Sequence, residues 1–161
     1  PPPLVSRVLR REIRERVAYL TDSWGMFVEG LVQPCVPGLF KKLGIELSET
    51  AQSRKKHRNG DTLEVDVLAA GDEHVVAVSV KTTLSRRDEV DDLERDLGRF
   101  FDFFPEYRGR KLIGAMAGIS VKGGVDRYAE GKGFYVLTPS GHAMKIANSK
   151  GFKPKVWNAI H

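Results

Sequence analysis

The chain has 161 residues, the length of a single domain that buries a full core of its own. Hydrophobic residues make up 41% and charged residues 29%, which is typical of a soluble globular protein. The single cysteine, Cys35, excludes an internal disulfide and a cysteine-based zinc site, and favours a reducing, cytoplasmic compartment. The net charge of +5 permits a polyanionic partner such as nucleic acid without requiring one.

The N-terminal region predicts two helices. Residues 4–20 form an amphipathic helix with Leu9, Ile13, Val17 and Leu20 on one face. We separate residues 1–20, which could end a coiled coil and support a homodimer, from a domain of residues 21–161. Thr21-Asp22-Ser23 predicts the cap of a second helix, whose apolar face holds Trp24, Phe27, Val28, Leu31 and Val32.

Strand patterns follow this helical region. One strand runs from about residue 45 towards Lys55, and Asn59-Gly60-Asp61 is a turn signal. Residues 63–69 and 75–80 are the clearest strands, because both are rich in valine and the loop of residues 71–74 separates them.

The second half of the chain alternates helices and strands. Ser85 predicts the cap of a long helix with Asp88 completing a capping box, and Pro105 ends that helix. The remaining predicted elements are a strand at 111–119, a helix at 125–130 and strands at 134–138 and 144–147. This order predicts an α/β fold with a central mixed sheet and helices on its faces.

No segment predicts membrane insertion or secretion. The longest apolar runs, residues 75–78 and 112–119, are far shorter than the roughly 20 residues of a membrane-spanning helix. Pro1-Pro2-Pro3 brings no apolar stretch, so we expect no signal peptide.

The two central strands predict a polar cluster. If the hairpin loop is residues 71–74, Asp66 lies opposite Ser79 and Glu64 lies opposite Lys81. Side chains alternate between faces, so these four polar groups would share one face of the hairpin. One interpretation is a solvent-exposed Glu64–Lys81 ion pair contributing about 0.2–1 kcal/mol. The other is a functional site.

Two stretches carry a recognisable pattern, Glu64-Val65-Asp66-Val67-Leu68 and Val76-Ala77-Val78-Ser79-Val80-Lys81. They resemble the PD-(D/E)XK nuclease superfamily, which places an Asp on one strand and Glu-x-Lys on the next. Gly25-Met26-Phe27-Val28-Glu29 fits the Gly-x-x-x-Glu pattern of an early helix in many members. The resemblance covers most of residues 21–157 and implies a restriction-endonuclease-like fold. It is closest to a branch that joins an N-terminal coiled coil to a nuclease-like domain, through Phe104-Pro105-Glu106-Tyr107 and Gly151-Phe152-Lys153-Pro154.

The resemblance implies metal-dependent phosphodiester hydrolysis, on DNA more than on RNA. In that chemistry Asp66 ligates Mg²⁺ or Mn²⁺, helped by Glu29 and the backbone carbonyl of Val80. Lys81 orients the attacking water or stabilises transition-state charge. The charge role is physically easier, because an exposed lysine is a poor base near neutral pH. Thr82 could bind a phosphate oxygen, although strand-end threonines are more often only β formers.

Ser79 departs from the superfamily pattern, because it occupies the position of the Glu in Glu-x-Lys. A neutral hydroxyl is a weaker Mg²⁺ ligand than a carboxylate, so metal affinity falls unless Glu29 or Glu64 supplies the charge. The alternative to a nuclease is therefore a degenerate domain that binds nucleic acid without cutting it. A third alternative is an interaction module that self-associates through its N-terminal helix.

The densest basic run is a candidate phosphate-binding segment. Its members precede the Asn59-Gly60 turn and could follow a nucleic-acid backbone; they are Arg54, Lys55, Lys56 and Arg58. A solvated hairpin tip explains the same residues equally well.

Overall fold

A computed structural model describes residues 3–159, without the side-chain surroundings of residues 3–7, 14 and 17–23. In that part of the chain the α-helices are α1 (Pro3–Val32), α2 (Val36–Lys41), α3 (Arg87–Gly98), α4 (Phe100–Phe103) and α5 (Val125–Gly131). The strands are β1 (Glu49–Arg58), β2 (Asp61–Ala70), β3 (His74–Leu84), β4 (Lys111–Val121), β5 (Tyr135–Ser140), β6 (Ala143–Ile146) and β7 (Val156–Trp157). Short 3-10 helices cover Gln33–Cys35 and Pro105–Tyr107.

The strands form one mixed sheet in the order β1-β2-β3-β4-β5-β6, with β7 paired to β4. Strands β1, β2 and β3 are antiparallel neighbours, whereas β3, β4 and β5 run parallel. The parallel steps need crossover connections, which α3 and α5 provide. The predicted α/β architecture, a central mixed sheet with helices on its faces, is confirmed.

Apolar side chains cover both faces of this sheet. One core lies under α3 and includes Leu93, Leu97 and Phe100. The other lies under α1 and α2 and includes Val28 and Phe40. Because both faces are packed, a polar side chain in the middle of the central strands reaches solvent only where the packing leaves an opening.

The predicted break near residue 20 is wrong, because α1 continues from Pro3 to Val32 as one helix. Between residues 4 and 24 the sequence contains no Gly or Pro, so nothing there interrupts the i to i−4 hydrogen bonds. The predicted apolar positions Val17 and Leu20 and the predicted cap residues 21–23 lie outside the residues whose side chains are described. The division into residues 1–20 and 21–161 stays a prediction.

The long helix predicted from Ser85 to Phe104 is shorter and differently capped. Helix α3 ends at Gly98, and α4 follows after Arg99. The carboxylate of Glu89 accepts the amide hydrogens of Ser85 at 3.2 Å and Arg86 at 3.0 Å. Arg86 is therefore the N-cap, and Glu89 takes the role predicted for Asp88.

The first strand also differs from its prediction. It begins at Glu49 rather than residue 45 and extends beyond Lys55 to Arg58. The predicted turn that follows is confirmed, because Asn59 and Gly60 have φ angles of 50° and 77°. Positive φ at both central residues gives the twist that a tight antiparallel hairpin requires.

Among the helices of residues 3–159, none combines the length and the apolar composition needed to cross a membrane. Cys35 is a free thiol, as a chain with one cysteine requires.

The cap of α3 provides a test of the fold. Replacing Glu89 with Ala removes the acceptor for two otherwise unpaired amides, so the free energy of unfolding should fall by about 1 kcal/mol in urea denaturation. Asp88→Ala removes the same first-turn charge but only an exposed pair with Arg86, and it should cost clearly less. Equal losses for both variants would contradict the cap.

Candidate active site

The β2–β3 hairpin has the predicted register over four residue pairs, from Ala70–Val75 to Val67–Val78. Beyond Val67 the two strands stop pairing with each other, so the predicted pairs Asp66–Ser79 and Glu64–Lys81 do not form. Strand β2 continues on β1 as far as Asp61, and β3 continues on β4 as far as Leu84. The hairpin therefore opens like a fork, and residues 66 and 79 lie where the opening begins.

The side chain of Asp66 bridges this opening. Its Oδ2 accepts a hydrogen bond from the backbone amide of Val80 at 2.8 Å. The side-chain alternation of β2 reverses here: Leu63 and Val65 join the core under α3, whereas Val67 joins the core under α1. The reversal turns Asp66 into the gap between the strands instead of onto a regular sheet face.

A distortion on the neighbouring strand accompanies this reversal. Ser53, at the position of β1 across from Asp66, has a φ of 54° and is left out of the ladder that pairs its neighbours Gln52 and Arg54. A positive φ is uncommon for a residue with a side chain and is found most often where function or packing demands it.

The opening forms a cleft of about 210 Å³. From the sheet it is bordered by Glu64, Asp66, Ser79 and Lys81, of which Asp66, Ser79 and Lys81 are half-buried. Leu93 and other apolar residues of the core close it from below. The structure thus brings the predicted acid, hydroxyl and amine to one cleft. Glu64 and Lys81 both belong to the described residues, and no ion pair within 4.0 Å joins them.

The Asp66 carboxyl holds its proton more tightly than a free aspartate. Burial raises its pKa from the ordinary value of 3.8 to about 6. The Val80 amide and the Lys81 ammonium favour the anion, whereas the neighbouring Glu29 and Glu64 disfavour it. A half-buried carboxyl with a raised pKa among several charges is typical of functional sites.

Glu29 approaches Asp66 from α1 but makes its own hydrogen bonds to β1. Its Oε2 accepts the Ser53 hydroxyl at 2.9 Å and the Gln52 amide at 3.5 Å. Gln52 also donates to the carbonyl of Met26 at 3.0 Å, which anchors β1 to the helix. Glu29 therefore affects Asp66 through its charge, and it does not border the cleft itself.

The donor atoms fit one type of metal site and not another. Among residues 3–159, no three His, Cys, Asp or Glu side chains are grouped so as to hold a metal ion. Mg²⁺, however, is often held by one or two carboxylates together with water and substrate phosphate. Asp66, flanked by two further acids, suits such an open site for Mg²⁺ or Mn²⁺ but not a closed protein cage. The roles of Glu29 and the Val80 carbonyl as ligands stay predictions.

Three members of the predicted basic run are already paired within the molecule. Lys56 and Arg54 lie 3.1 and 3.8 Å from the carboxylate of Glu106, and both cations lie over the ring of Phe104. Arg58 donates to the carbonyl of Asp102 at 2.7 Å and lies 3.8 Å from its carboxylate. These pairs clamp the β1–β2 hairpin to the segment after α3.

Two predicted contacts stay untested. Lys55 is exposed and has no ion pair within the described chain. Thr82 is exposed near the end of β3 and does not border the cleft.

The sequence interpretation missed the contribution of α3 to the cleft. The helix borders it with the polar residues Glu89, Asp92, Arg95 and Asp96. Spacings of three and four residues place such side chains on one helical face, and that pattern was the available signal. Burial raises the pKa of Asp96, while its hydrogen bond to Arg99 opposes the rise. With the residues of the sheet included, five acidic and two basic side chains border the cleft.

Comparisons with known proteins give similarity to solved structures alone: no family model and no curated protein matches the chain. A protein of unknown function shares 18% identity at a TM-score of 0.44, covering 64% of this chain and 54% of that one. A repair endonuclease from Pyrococcus abyssi shares 19% at 0.44, covering 63% and 43%. EndoMS in a complex with double-stranded DNA shares 22% at 0.36, covering 68% and 45%.

This chain thus spans about half the length of the solved proteins that it resembles. With TM-scores below 0.5, these similarities leave its function to be argued from its own side chains.

The raised pKa of Asp66 gives a test of pH dependence. Between about pH 4 and 6 the unfolded chain has lost the Asp66 proton and the folded chain has kept it, so stability falls as pH rises. The loss is at most about 3 kcal/mol, and the residual exposure of the carboxyl reduces it. Asp66→Asn should therefore be more stable than the wild type at pH 7.5 in metal-free buffer, measured by urea denaturation across pH.

The control is Asp72→Asn, which changes an exposed carboxyl in the β2–β3 loop. The difference between the wild-type and Asp66→Asn curves should grow from pH 4 to pH 6, and the Asp72→Asn curve should follow the wild type. A less stable Asp66→Asn at pH 7.5 would mean that the carboxylate stabilises the fold.

Proposed function

We propose that this chain is a metal-dependent phosphodiesterase of the restriction-endonuclease-like type. Its proposed substrate is nucleic acid, with DNA preferred to RNA. The observation that supports this most is the position of Asp66. Its carboxyl lies in the β2–β3 fork, bound by the Val80 amide, and borders the same cleft as Ser79 and Lys81. An acid and an amine at the mouth of one cleft are the groups that phosphodiester hydrolysis needs.

The order of elements supports the same proposal. A helix, three antiparallel strands, a crossover helix and a parallel strand follow one another from α1 to β4. The superfamily that the sequence resembles places its acid on one strand and its lysine on the next, and a long helix follows the lysine. In this chain Asp66 and Lys81 occupy those strands.

Each side chain has a distinct part in the proposed mechanism. Asp66 would hold Mg²⁺ or Mn²⁺, which would lower the pKa of a bound water and offset charge on the scissile phosphate. Asp66 contributes a carboxylate whose direction is fixed by the Val80 amide. Lys81 is half-buried and brings its amine to the phosphate, where negative charge grows in the transition state. Ser79 offers a hydroxyl to water or phosphate.

A domain that binds nucleic acid without cutting it is the second candidate function. It is favoured by Ser79, which brings a neutral group to the position of a carboxylate, and by the lack of a three-ligand cluster among residues 3–159. Both observations point to weak metal binding, and weak metal binding slows hydrolysis.

Self-association through α1 is a further proposal about partners. Large apolar side chains at helical spacing are about half exposed on its outer face; they include Leu9, Ile13, Trp24, Phe27 and Leu31. A second α1 helix would cover such a face.

The nuclease proposal predicts loss of cleavage in two single variants. Asp66→Asn and Lys81→Met should each lower the rate on 5′-labelled DNA in Mn²⁺ on the order of 100-fold or more. Matched controls are Asp72→Asn in the exposed β2–β3 loop and Lys150→Met in the exposed segment before β7, which should cut at wild-type rates. Cleavage that survives in Asp66→Asn would exclude this cleft as the active site.

Ser79 predicts a gain in metal binding. Ser79→Glu adds a carboxylate across the fork from Asp66, so Mn²⁺ affinity measured by calorimetry should rise on the order of tenfold. Ser79→Gln has the same size without the charge and should leave the affinity near that of the wild type. A wild type that binds DNA without cutting it, beside a cutting Ser79→Glu variant, would favour the second function. Unchanged affinity in Ser79→Glu would mean that residue 79 does not face the metal.

A further inference from the structure

Strands β3, β4 and β5 are parallel, so their carboxyl ends meet at one edge of the sheet, where β6 begins. We name this the carboxyl edge and define it by four segments, residues 80–84, 117–122, 137–140 and 143–146. These segments contain no Asp or Glu. Open α/β sheets characteristically bind ligands outside the carboxyl ends of their strands.

Two lysines of this edge share a side of the sheet. Val80, Ala117, Leu137 and Ile146 are paired in one continuous row across β3, β4, β5 and β6. These four residues pack into or against the core under α1 and α2. Lys81 and Lys145 lie one residue further towards the edge than the ends of this row. Alternation therefore places both on the opposite, α3 side of the sheet, three strand spacings or about 14 Å apart.

A third lysine lies between them in the strand order. The amide of Lys122 donates to the carbonyl of Leu84 at 2.9 Å, which holds it beside the end of β3. Lys122 and Lys145 are both exposed, and neither has an ion-pair partner within 4.0 Å in the described part of the chain. Their charge is available to an external anion.

Hydroxyl groups occupy the positions around these lysines. Thr82 and Thr83 are exposed after Lys81, and Ser120 and Thr138 are half-buried on β4 and β5. Lysines, serines and threonines are the usual partners of nucleic-acid phosphates. A row with this spacing suits a chain of phosphates better than a single small anion.

The other side of the cleft offers little free positive charge. Helix α3 carries six acidic and two basic residues, and four of its acids, Asp88, Asp92, Glu94 and Asp96, form ion pairs. On the outer hairpin, Arg54, Lys56 and Arg58 are neutralised by Glu106 and Asp102. A polyanion that reaches Lys81 is therefore attracted more along the carboxyl edge, whose segments contain no acid, than along α3.

An acidic protein is a weaker match for this surface. Protein interfaces have an apolar centre, whereas Ile119 is the one large apolar side chain among residues 3–159 that is exposed on the carboxyl edge.

We propose that nucleic acid crosses the ends of the strands along the carboxyl edge, with Lys122 and Lys145 binding its phosphates away from the cleft. The proposal rests on the proposed function, because the scissile phosphate is placed between Asp66 and Lys81. It moves the phosphate-binding surface from residues 54–58 to the opposite side of the cleft.

The test measures binding separately from cleavage. The probe is a fluorescein-labelled 20-base-pair DNA of mixed sequence, titrated by anisotropy at several salt concentrations in EDTA, which prevents hydrolysis. Lys122→Gln/Lys145→Gln should lower the slope of log affinity against log salt by about 1.8, since each lost phosphate contact lowers it by about 0.9. The affinity in 50 mM salt should fall on the order of tenfold.

The matched control is Lys41→Gln/Lys150→Gln, which removes the same charge from two exposed lysines. They belong to the segments of Phe40 and Phe152, whose rings pack against Tyr135 at the start of β5. It should keep the wild-type slope. Equal losses in both double variants, or a wild type that binds polyglutamate but not the DNA, would overturn the proposal. If the Lys122→Gln/Lys145→Gln variant loses binding and the wild type does not cut DNA, the nuclease proposal is refuted and the binding surface stands. If that variant binds and cuts DNA as well as the wild type, the binding surface is refuted and the nuclease proposal stands.

Discussion

The candidate site depends on one hydrogen bond, from the Val80 amide to the Asp66 carboxylate. Without a side chain in that place, the β2–β3 hairpin would have to continue its ladder or leave backbone groups unpaired. The carboxylate takes over a role of the backbone and holds the two strands apart at a fixed distance. The fork, the cleft and the half-burial of Lys81 all follow from this separation.

The sequence was sufficient to predict most of the sheet and the meeting of Asp66, Ser79 and Lys81. The reason is that a short loop fixes the register of a hairpin, and Val67–Val78 and its neighbours have the predicted pairing. The opening of the strands beyond that pair could not be predicted, because local patterns do not reveal the accompanying distortion at Ser53 or its hydrogen bond to Glu29. Alternation rules assume a regular strand, and β2 is irregular at the residue that matters most.

Tertiary contacts also explain the other differences. Arg54, Lys56 and Arg58 belong to a basic cluster in the sequence, but the acids that neutralise these three come from residues 102 and 106, far along the chain. A similar difficulty affects the helix caps. Thr21 to Ser23 favour a cap locally, yet the backbone of α1 continues through them, while the α3 cap uses Glu89 instead of Asp88. Local sequence patterns identify residues that are able to cap a helix or bind an anion, and tertiary packing determines which of them do so.

The uneven distribution of charge also affects how a nucleic acid approaches the protein before the two make contact. With an acid-rich helix on one flank and, in the described chain, lysines without ion-pair partners on the other, an electric field runs across the cleft. Such a field exerts a torque on a highly charged rod at distances up to the screening length, about 8 Å in physiological salt. Encounters would then begin from a narrow range of orientations, so that the fold itself sets the direction of approach.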